Sequence, residues 1–413
     1  MTPPRPAIHR AASIGGLPVS NIVVFELGVA LGLVLLAVDR TLLPVSAVIA
    51  AIGLLVALSR LRGRWLTEWI ALATRYLLRS HNTVARPDEP ATGTASRPAN
   101  GGTAVTGPED RRVSLLRLAV PDLVVANGID HERRPVGLAW HEGTWTAVLL
   151  VEPRQELVQP AVGGPNLPLG ALVPTLEDRG VVLDAIAVIS HCYRAGVSLP
   201  PSAPALESYL EVLGPLPATA RRSTWVVVRL DPRRCPAAVR ERGGGVVGAH
   251  RALIGALSRV RSALAARGVQ NSPLDVDGLL RAGVAAAELQ SVAGSPRPVA
   301  LRERWTGVTA GGIGHASYAV TGWPARGTPP SLDALTGVRA LSTTVALSIS
   351  PGGEPGQVGL RGLVRVSART PAELEGADAR LRLLGSRLGI QLTALRGLQL
   401  AGLAATVPLG RIA

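Results

Sequence analysis

Two apolar runs near the N-terminus, Ile22–Val38 and Leu42–Leu58, restrict this chain more than any other feature. Each is 17 residues long; Glu26 alone interrupts the first, and the second carries no charge. A helix needs about 17–25 apolar residues to cross the hydrocarbon core of a bilayer. The pair therefore predicts a transmembrane hairpin over residues 20–59, with spans at about 20–38 and 42–58. A second apolar run follows at once and no clear A-x-A site separates the two, which argues against a cleaved signal peptide. Arg5 and Arg10 precede the first run, and Arg60, Arg62, Arg64, Arg75 and Arg79 follow the second. The positive-inside rule then places both flanks, the tail 1–19 included, in the cytoplasm and the short Asp39-Arg40 turn outside.

Lipid supplies no hydrophobic drive between helices, so small residues are needed where backbones approach. Gly28 and Gly32, with Ala47 and Ala51, have that spacing and are the expected packing residues. Glu26 is the one ionisable group within a span. It is expected either to reach headgroups or Asn21, or to face a helix of another subunit. In the segment 60–81, Trp65, Trp69, Leu72 and Tyr76 share one helical face. Arg60, Arg62 and Arg64 flank the tryptophans, so this segment reads as an amphipathic helix anchored at the membrane interface or docked on protein.

Residues 82–112 are rich in Pro, Gly, Thr and Ala without hydrophobic periodicity and read as a flexible linker. The remainder, 113–413, is long enough for a substantial core. Mean hydropathy is +0.29, so the apolar excess sits in the hairpin. Every one of the 43 basic residues is Arg. A chain without Lys has no Walker A lysine, Schiff-base lysine or kinase-type lysine. The net charge of +14 is spread along the chain, and aromatics are only 3%, so anionic headgroups rather than nucleic acid explain it. Cys192 and Cys235 form no C-x-x-C pair, which signals neither a disulfide framework nor zinc.

Strands are predicted at Leu115–Val125, Val136–His141, Trp145–Val151, Val182–His191, Thr224–Leu230, Ser317–Trp323, Leu341–Ser350 and Gln357–Ala368. Glu142-Gly143 marks a hairpin. Helices are predicted at Leu169–Asp178, Ala205–Leu213, Val247–Arg267, Asp275–Leu289 and Pro371–Leu388. One pattern occurs twice: strand, short helix, strand, strand, long helix, then Gly-Val at 268–269 or Gly-Ile at 389–390. The expected fold is a cytosolic α/β (α+β) domain with mixed or antiparallel sheets and two related halves.

Chemical motifs are weak. Gly243 to Gly248 matches G-x-G-x-x-G but does not follow a strand directly, so it reads as a helix entry. Asp275 and Asp277 have the D-x-D spacing of metal-dependent sugar transfer, yet they stand where a helix begins and suit capping. His141-Glu142 lacks the second histidine of a zinc protease, since that position is Trp145. Asp130-His131-Glu132 reads as a polar turn. His191 and Cys192 are neighbours on a strand and point to opposite faces. Gly311 to His315 reads as a glycine turn.

The arrangement resembles the EccE family, membrane components of the mycobacterial type VII (ESX) secretion systems. The likeness rests on the hairpin Ile22–Leu58, the Arg/Trp segment Arg60–Arg79 and Arg133-Arg134-Pro135-Val136-Gly137. It extends to the Thr224–Pro232 strand, the Ala/Leu/Arg helix Ala249–Arg267, and Trp305-Thr306 before Gly311–Ala316. It covers nearly the whole chain, with the linker variable, and no single motif is diagnostic. The resemblance implies a non-catalytic structural subunit without catalytic, cofactor or metal residues. It implies an inner-membrane assembly of six protomers around a pore, where such a subunit is peripheral to EccB, the ATPase EccC and EccD. The alternative is a membrane-tethered nucleotide-sugar transferase using Asp275 and Asp277.

Overall fold

A computed structural model describes residues 13–14, 17–39, 41, 43–61, 64–86, 110–152, 167, 169–194, 220–324, 332–353 and 357–410. The chain divides into two compact units, Met1–Ser80 and His81–Ala413.

The first unit holds helices α1 (Val19–Val38), α2 (Leu43–Leu58) and α3 (Leu66–Leu78). α1 packs on α2 through small residues. A Cβ on Gly28 would stand 3.0 Å from the Gly53 Cα, and one on Gly32 would stand 3.1 Å from the Ser46 carbonyl oxygen. Asn21 is buried and donates to the Ala57 carbonyl at 2.7 Å, while Thr67 on α3 donates to the Asn21 side-chain oxygen. Away from these contacts, Phe25, Leu27, Leu31, Leu33 and Leu55 are exposed. Among the described residues no helix is long and apolar enough to cross a membrane, so the two expected spans are not seen as such. α2 has 16 residues, about 24 Å at 1.5 Å per residue, short of the ~30 Å hydrocarbon core.

The second unit is built on one antiparallel sheet of 13 strands. In chain order, its elements begin with β1 (Asn82–Ala85), α4 (Arg111–Leu116), β2 (Val124–Ile129), β3 (Pro135–His141), β4 (Thr144–Val151) and α5 (Leu169–Leu172). Next come β5 (Ala185–Arg194), β6 (Ala220–Leu230), α6 (Pro236–Glu241), α7 (Gly245–Ala265), β7 (Asn271–Pro273), α8 (Val276–Ala286) and α9 (Gln290–Ala293). The last are β8 (Val299–Arg304), β9 (Gly307–Ala310), β10 (Ile313–Gly322), β11 (Ser342–Pro351), β12 (Val358–Ala368), α10 (Pro371–Arg387), β13 (Gln391–Ala394) and α11 (Gln399–Ala405).

The sheet runs β1-β8-β9-β10-β12-β11-β5-β6-β4-β3-β2, with β7 added to β4 and β13 to β10. At its centre the order is a palindrome. β10-β12-β11 meets β5-β6-β4, and the first and second strands of the repeated pattern occupy mirrored places. The short strand after each long helix repeats the relation, since β7 pairs β4 and β13 pairs β10. The seam between halves is the β5–β11 ladder, from Ile186↔Ile349 to Tyr193↔Ser342.

Helices cover both faces. α7 buries Ala249, Ala252, Leu253, Ala256, Leu257, Val260 and Leu264 against Val226 and Val228 of β6. That i, i+3, i+4 stripe is the apolar face of an amphipathic helix. α10 buries Ala377 and Leu381 against Val364 and Val366. Its start carries a capping box in which Thr370 Oγ accepts from Glu373 N at 3.3 Å and Glu373 accepts from Thr370 N at 3.3 Å. α4, α8 and α11 cover the opposite face, over Ala187, Ile189, Trp225 and Val227.

Several elements differ from the sequence reading. Of the strand expected over Leu115–Val125 only Val124 and Val125 are strand: Leu115 and Leu116 are the buried end of helix 111–116, which Asp110 caps by accepting from Arg112 N. The helix expected over Leu169–Asp178 is cut short at Pro174, and Arg179-Gly180, both at positive φ, turn the chain between paired Glu177–Asp178 and Val181–Val182. The linker read over 82–112 opens as β1, which pairs with β8. Its middle, 87–109, lies outside the described residues, as does the helix expected at Ala205–Leu213. β8 was not expected, because Arg302 and Arg304 give it a charged outer face.

The Arg133–Gly137 motif now has a physical reading. Asp130 accepts from the backbone of Glu132 and Arg134 and bonds the Arg134 side chain, which closes a tight turn with Arg133 at φ 61°. Gly137 then lets the entry to α8 close on the strand, because a Cβ there would lie 2.6 Å from the Asp275 carbonyl oxygen.

Candidate functional site

The ladder registers place His191 of β5 opposite Thr344 of β11, and Thr344 opposite Arg365 of β12. Three neighbouring strands thus hold these side chains in one row under the end of α8. One pair further along, Ser342 and His315 both face Ser367. Glu288, two residues past the end of α8, completes the group. All seven are at most 5% exposed, which is unusual for four ionisable side chains.

The hydrogen bonds define the arrangement. Arg365 Nη2 donates to Thr344 Oγ at 3.0 Å and to the Ala286 carbonyl. Thr344 Oγ also lies 2.9 Å from His191 Nδ1. On the other side of the ring, His191 Nε2 lies 3.4 Å from Glu288 Oε1. His191 also stacks on Trp225, with centroids 6.0 Å apart. His315 Nδ1 meets Ser367 Oγ at 3.0 Å.

Burial governs the charge states. It pushes His191 down to about 3, aided by the Arg365 charge, and holds His315 well below the usual imidazole range. It lifts the Glu288 carboxyl to about 7, against the opposing pull of Ser342 and Arg365. It lowers Arg365 to about 10, with Glu288 pulling the other way. Both imidazoles are neutral, and Arg365 is the dominant charge.

Arg365 delivers that charge to the last carbonyls of α8, where the helix dipole is negative. Glu288 adopts φ 57°, at a place where helices usually end on Gly. Two more buried charges bind backbone: Glu303 accepts from Leu400 N in the first turn of α11 at 2.9 Å, and Arg229 donates to the Gly410 carbonyl. These groups join strands to other parts of the sheet domain.

The residues singled out in the sequence lie elsewhere. Asp275 is the N-cap of α8, accepting from Gly278 N at 2.7 Å, and Asp277 pairs with Arg112 at 2.7 Å and Arg281 at 2.9 Å. Both make contacts within the fold, as the capping reading expects. His141 Nδ1 lies 2.6 Å from the Pro121 carbonyl oxygen, and Gly243, Gly244 and Gly245 all have positive φ at the entry to α7. Among the described residues no group of three His, Cys, Asp or Glu could hold a metal.

In the helical unit, Gly28 and Gly32 face α2. On α2 the contact runs through Ser46, Ala50 and Gly53, so Ala47 and Ala51, both exposed, are one position off that register. Glu26 is exposed between Phe25 and Leu27, while Asn21 is engaged by Ala57 and Thr67. The Arg60 guanidinium lies 4.0 Å over the Trp65 ring, and Trp69 is half-buried on α3. Arg64 pairs through its backbone with Leu61, and Arg62 lies outside the described residues.

Sequence reasoning missed the Arg365 group. Its signal was present: Arg365 sits between Val364 and Val366 in a strand that reads as buried on both faces.

The chain is similar in sequence to known secretion-system proteins. Residues 218–320 match the family model described as EccE, a type VII ESX secretion system translocon. The ESX-1 secretion system protein EccE1 of Mycobacterium tuberculosis (strain H37Rv) is 26% identical over 322 residues, covering 74% of this chain and 55% of that protein. EccE1 of Mycolicibacterium smegmatis is 30% identical over 227 residues, covering 53% and 41%. The ESX-5 secretion system protein EccE5 of Mycobacterium marinum is 27% identical over 131 residues, covering 28% and 32%. The chain spans about half the length of the EccE1 relatives it matches.

Proposed function

Because this chain belongs to the EccE family of type VII secretion proteins, we propose that it is a non-catalytic structural subunit of the ESX membrane complex. One observation carries the reading. Within the matched segment 218–320, Arg229, Asp275, Asp277, Glu288, Glu303 and His315 are all engaged in contacts within the fold. Most of these contacts tie the segment to elements outside it, at Arg112, His191, Ser367, Leu400 and Gly410, which suits a rigid scaffold better than an enzyme.

On this reading the helical unit lies in the inner membrane, with both termini and the sheet domain on the cytoplasmic side. The exposed Leu27, Leu31, Leu33 and Leu55 would face lipid or partner helices. Helices somewhat shorter than the hydrocarbon core are accommodated by local thinning and by flanking arginines that reach the headgroups. Arg60 and Trp65 would serve at that boundary, with Trp69 on the half-exposed α3. The partners are EccB, the ATPase EccC and EccD, with this subunit peripheral to them in a six-fold assembly. EccC supplies the motor.

The test is affinity isolation of the tagged full chain from detergent-solubilised membranes, followed by mass spectrometry. Co-isolation with EccB, EccC and EccD supports the reading. Recovery of the chain without them overturns it.

A further inference from the structure

Strand β8 alternates strictly: Val299, Leu301 and Glu303 are buried, whereas Ala300, Arg302 and Arg304 are exposed. Alternate residues of a strand project on one side about 6.6–6.8 Å apart, so Arg302 and Arg304 form a cationic row. Thr309 of β9 lies opposite Arg302. Beside the row the chain of residues 291–298 brings up Arg297, whose carbonyl accepts from Arg111 Nη2 at 2.7 Å. The row, this segment and the Gly311-Gly312 turn enclose a groove of about 590 Å³, within the ~300–1,000 Å³ of ordinary ligand sites.

Arg297, Arg302 and Arg304 line the groove, and among the described residues no carboxylate does. The nearest acid in sequence, Glu303, points inward and is held by Leu400 N. Arg302 uses Nε on Asn82 at 3.2 Å, which orients its guanidinium.

We propose that this groove docks an acidic peptide segment in extended conformation. The cations are set along a strand at the pitch that alternate side chains of an extended chain share. A single phosphate would instead require donors converging on one point. Ser291, Ser295 and Thr309 add hydroxyls for the peptide backbone.

The test uses the purified full chain and a fluorescein-labelled peptide of alternating Glu and Ser, read by fluorescence polarisation. Saturable binding is expected at low salt, falling as salt rises. Arg302→Glu with Arg304→Glu should weaken it at least ~10-fold. The milder Arg304→Gln, at an exposed site, should weaken it by less and covers the case in which the double variant misfolds. A peptide with Lys in place of Glu should not bind. Equal affinity for wild type and both variants, or no binding of the Glu peptide, overturns the proposal. It is also overturned if inorganic phosphate or phosphatidylglycerol vesicles bind through Arg302 and Arg304 and the peptide does not displace them.

Discussion

Arg365, rising from a strand in the second half of the sheet, closes the C-terminus of α8 by donating to the Ala286 carbonyl. Its other partner, Thr344, links it across the seam to His191 of the first half. One buried cation therefore ties together two ladders and a helix end.

Arg365→Met should destabilise the sheet domain by about 3–5 kcal/mol, because Glu288 loses its cation and the end of α8 loses its donor. Chemical denaturation of the full chain measures this. Glu288→Gln in the Arg365→Met background should cost less than Glu288→Gln in wild type, the mark of coupled groups. Additive losses would contradict the coupling.

Glu288 gives a pH dependence of defined sign. Its carboxyl is raised from the ordinary 4.5 to about 7 by burial. The folded state therefore holds a proton that the unfolded chain releases, and this contribution is full at low pH and lost as pH rises through about 7. His191, depressed to about 3, acts oppositely: its contribution is present above pH 6.5 and lost as pH falls toward 3. The stability advantage of wild type over Glu288→Gln should therefore be larger at pH 5 than at pH 8. A pH-independent difference would contradict the assignment.

Gly137→Ala should cost about 1–3 kcal/mol, since the new methyl group meets the Asp275 backbone and forces strand and helix entry apart. Gly143→Ala, in the open hairpin turn, introduces no such clash and should cost less despite its φ of 80°. Thermal unfolding of the two variants separates the effects.

In the helical unit, Gly53→Leu should weaken the α1–α2 packing, whereas Ala47→Leu and Ala51→Leu, at exposed positions, should be tolerated. Recovery of monodisperse protein in detergent reads this difference. Glu26→Leu should leave membrane insertion intact and reduce recovery of the assembled complex, as expected if Glu26 faces a partner helix. An undiminished complex would contradict that role.

The sequence revealed those parts of the fold that obey a single period. β3, β4, β5, β6, β11 and β12 alternate or run apolar, and α7 and α10 carry continuous stripes, so they were legible. The Glu142-Gly143 turn is local chemistry, which a sequence states directly. Residues 111–116 were not legible, because a short apolar segment fits helix and strand equally and the Asp110 cap decides. β1 and β8 were hidden because Asn82 in β1 and Arg302 and Arg304 in β8 interrupt the apolar pattern on their exposed face. The Arg365 group was hidden for a different reason. His191, Glu288, His315 and Arg365 are far apart in the chain, and only the ladder register brings them together. The α2 packing face was missed by one position because Ala and Gly recur too often there to single out one stripe.

The scaffold reading is tested most directly by the native mass of the tagged full chain isolated from membranes in mild detergent. The account predicts a particle far larger than the 42.8 kDa chain, containing this subunit together with EccB, EccC and EccD. A particle holding this chain alone would contradict it.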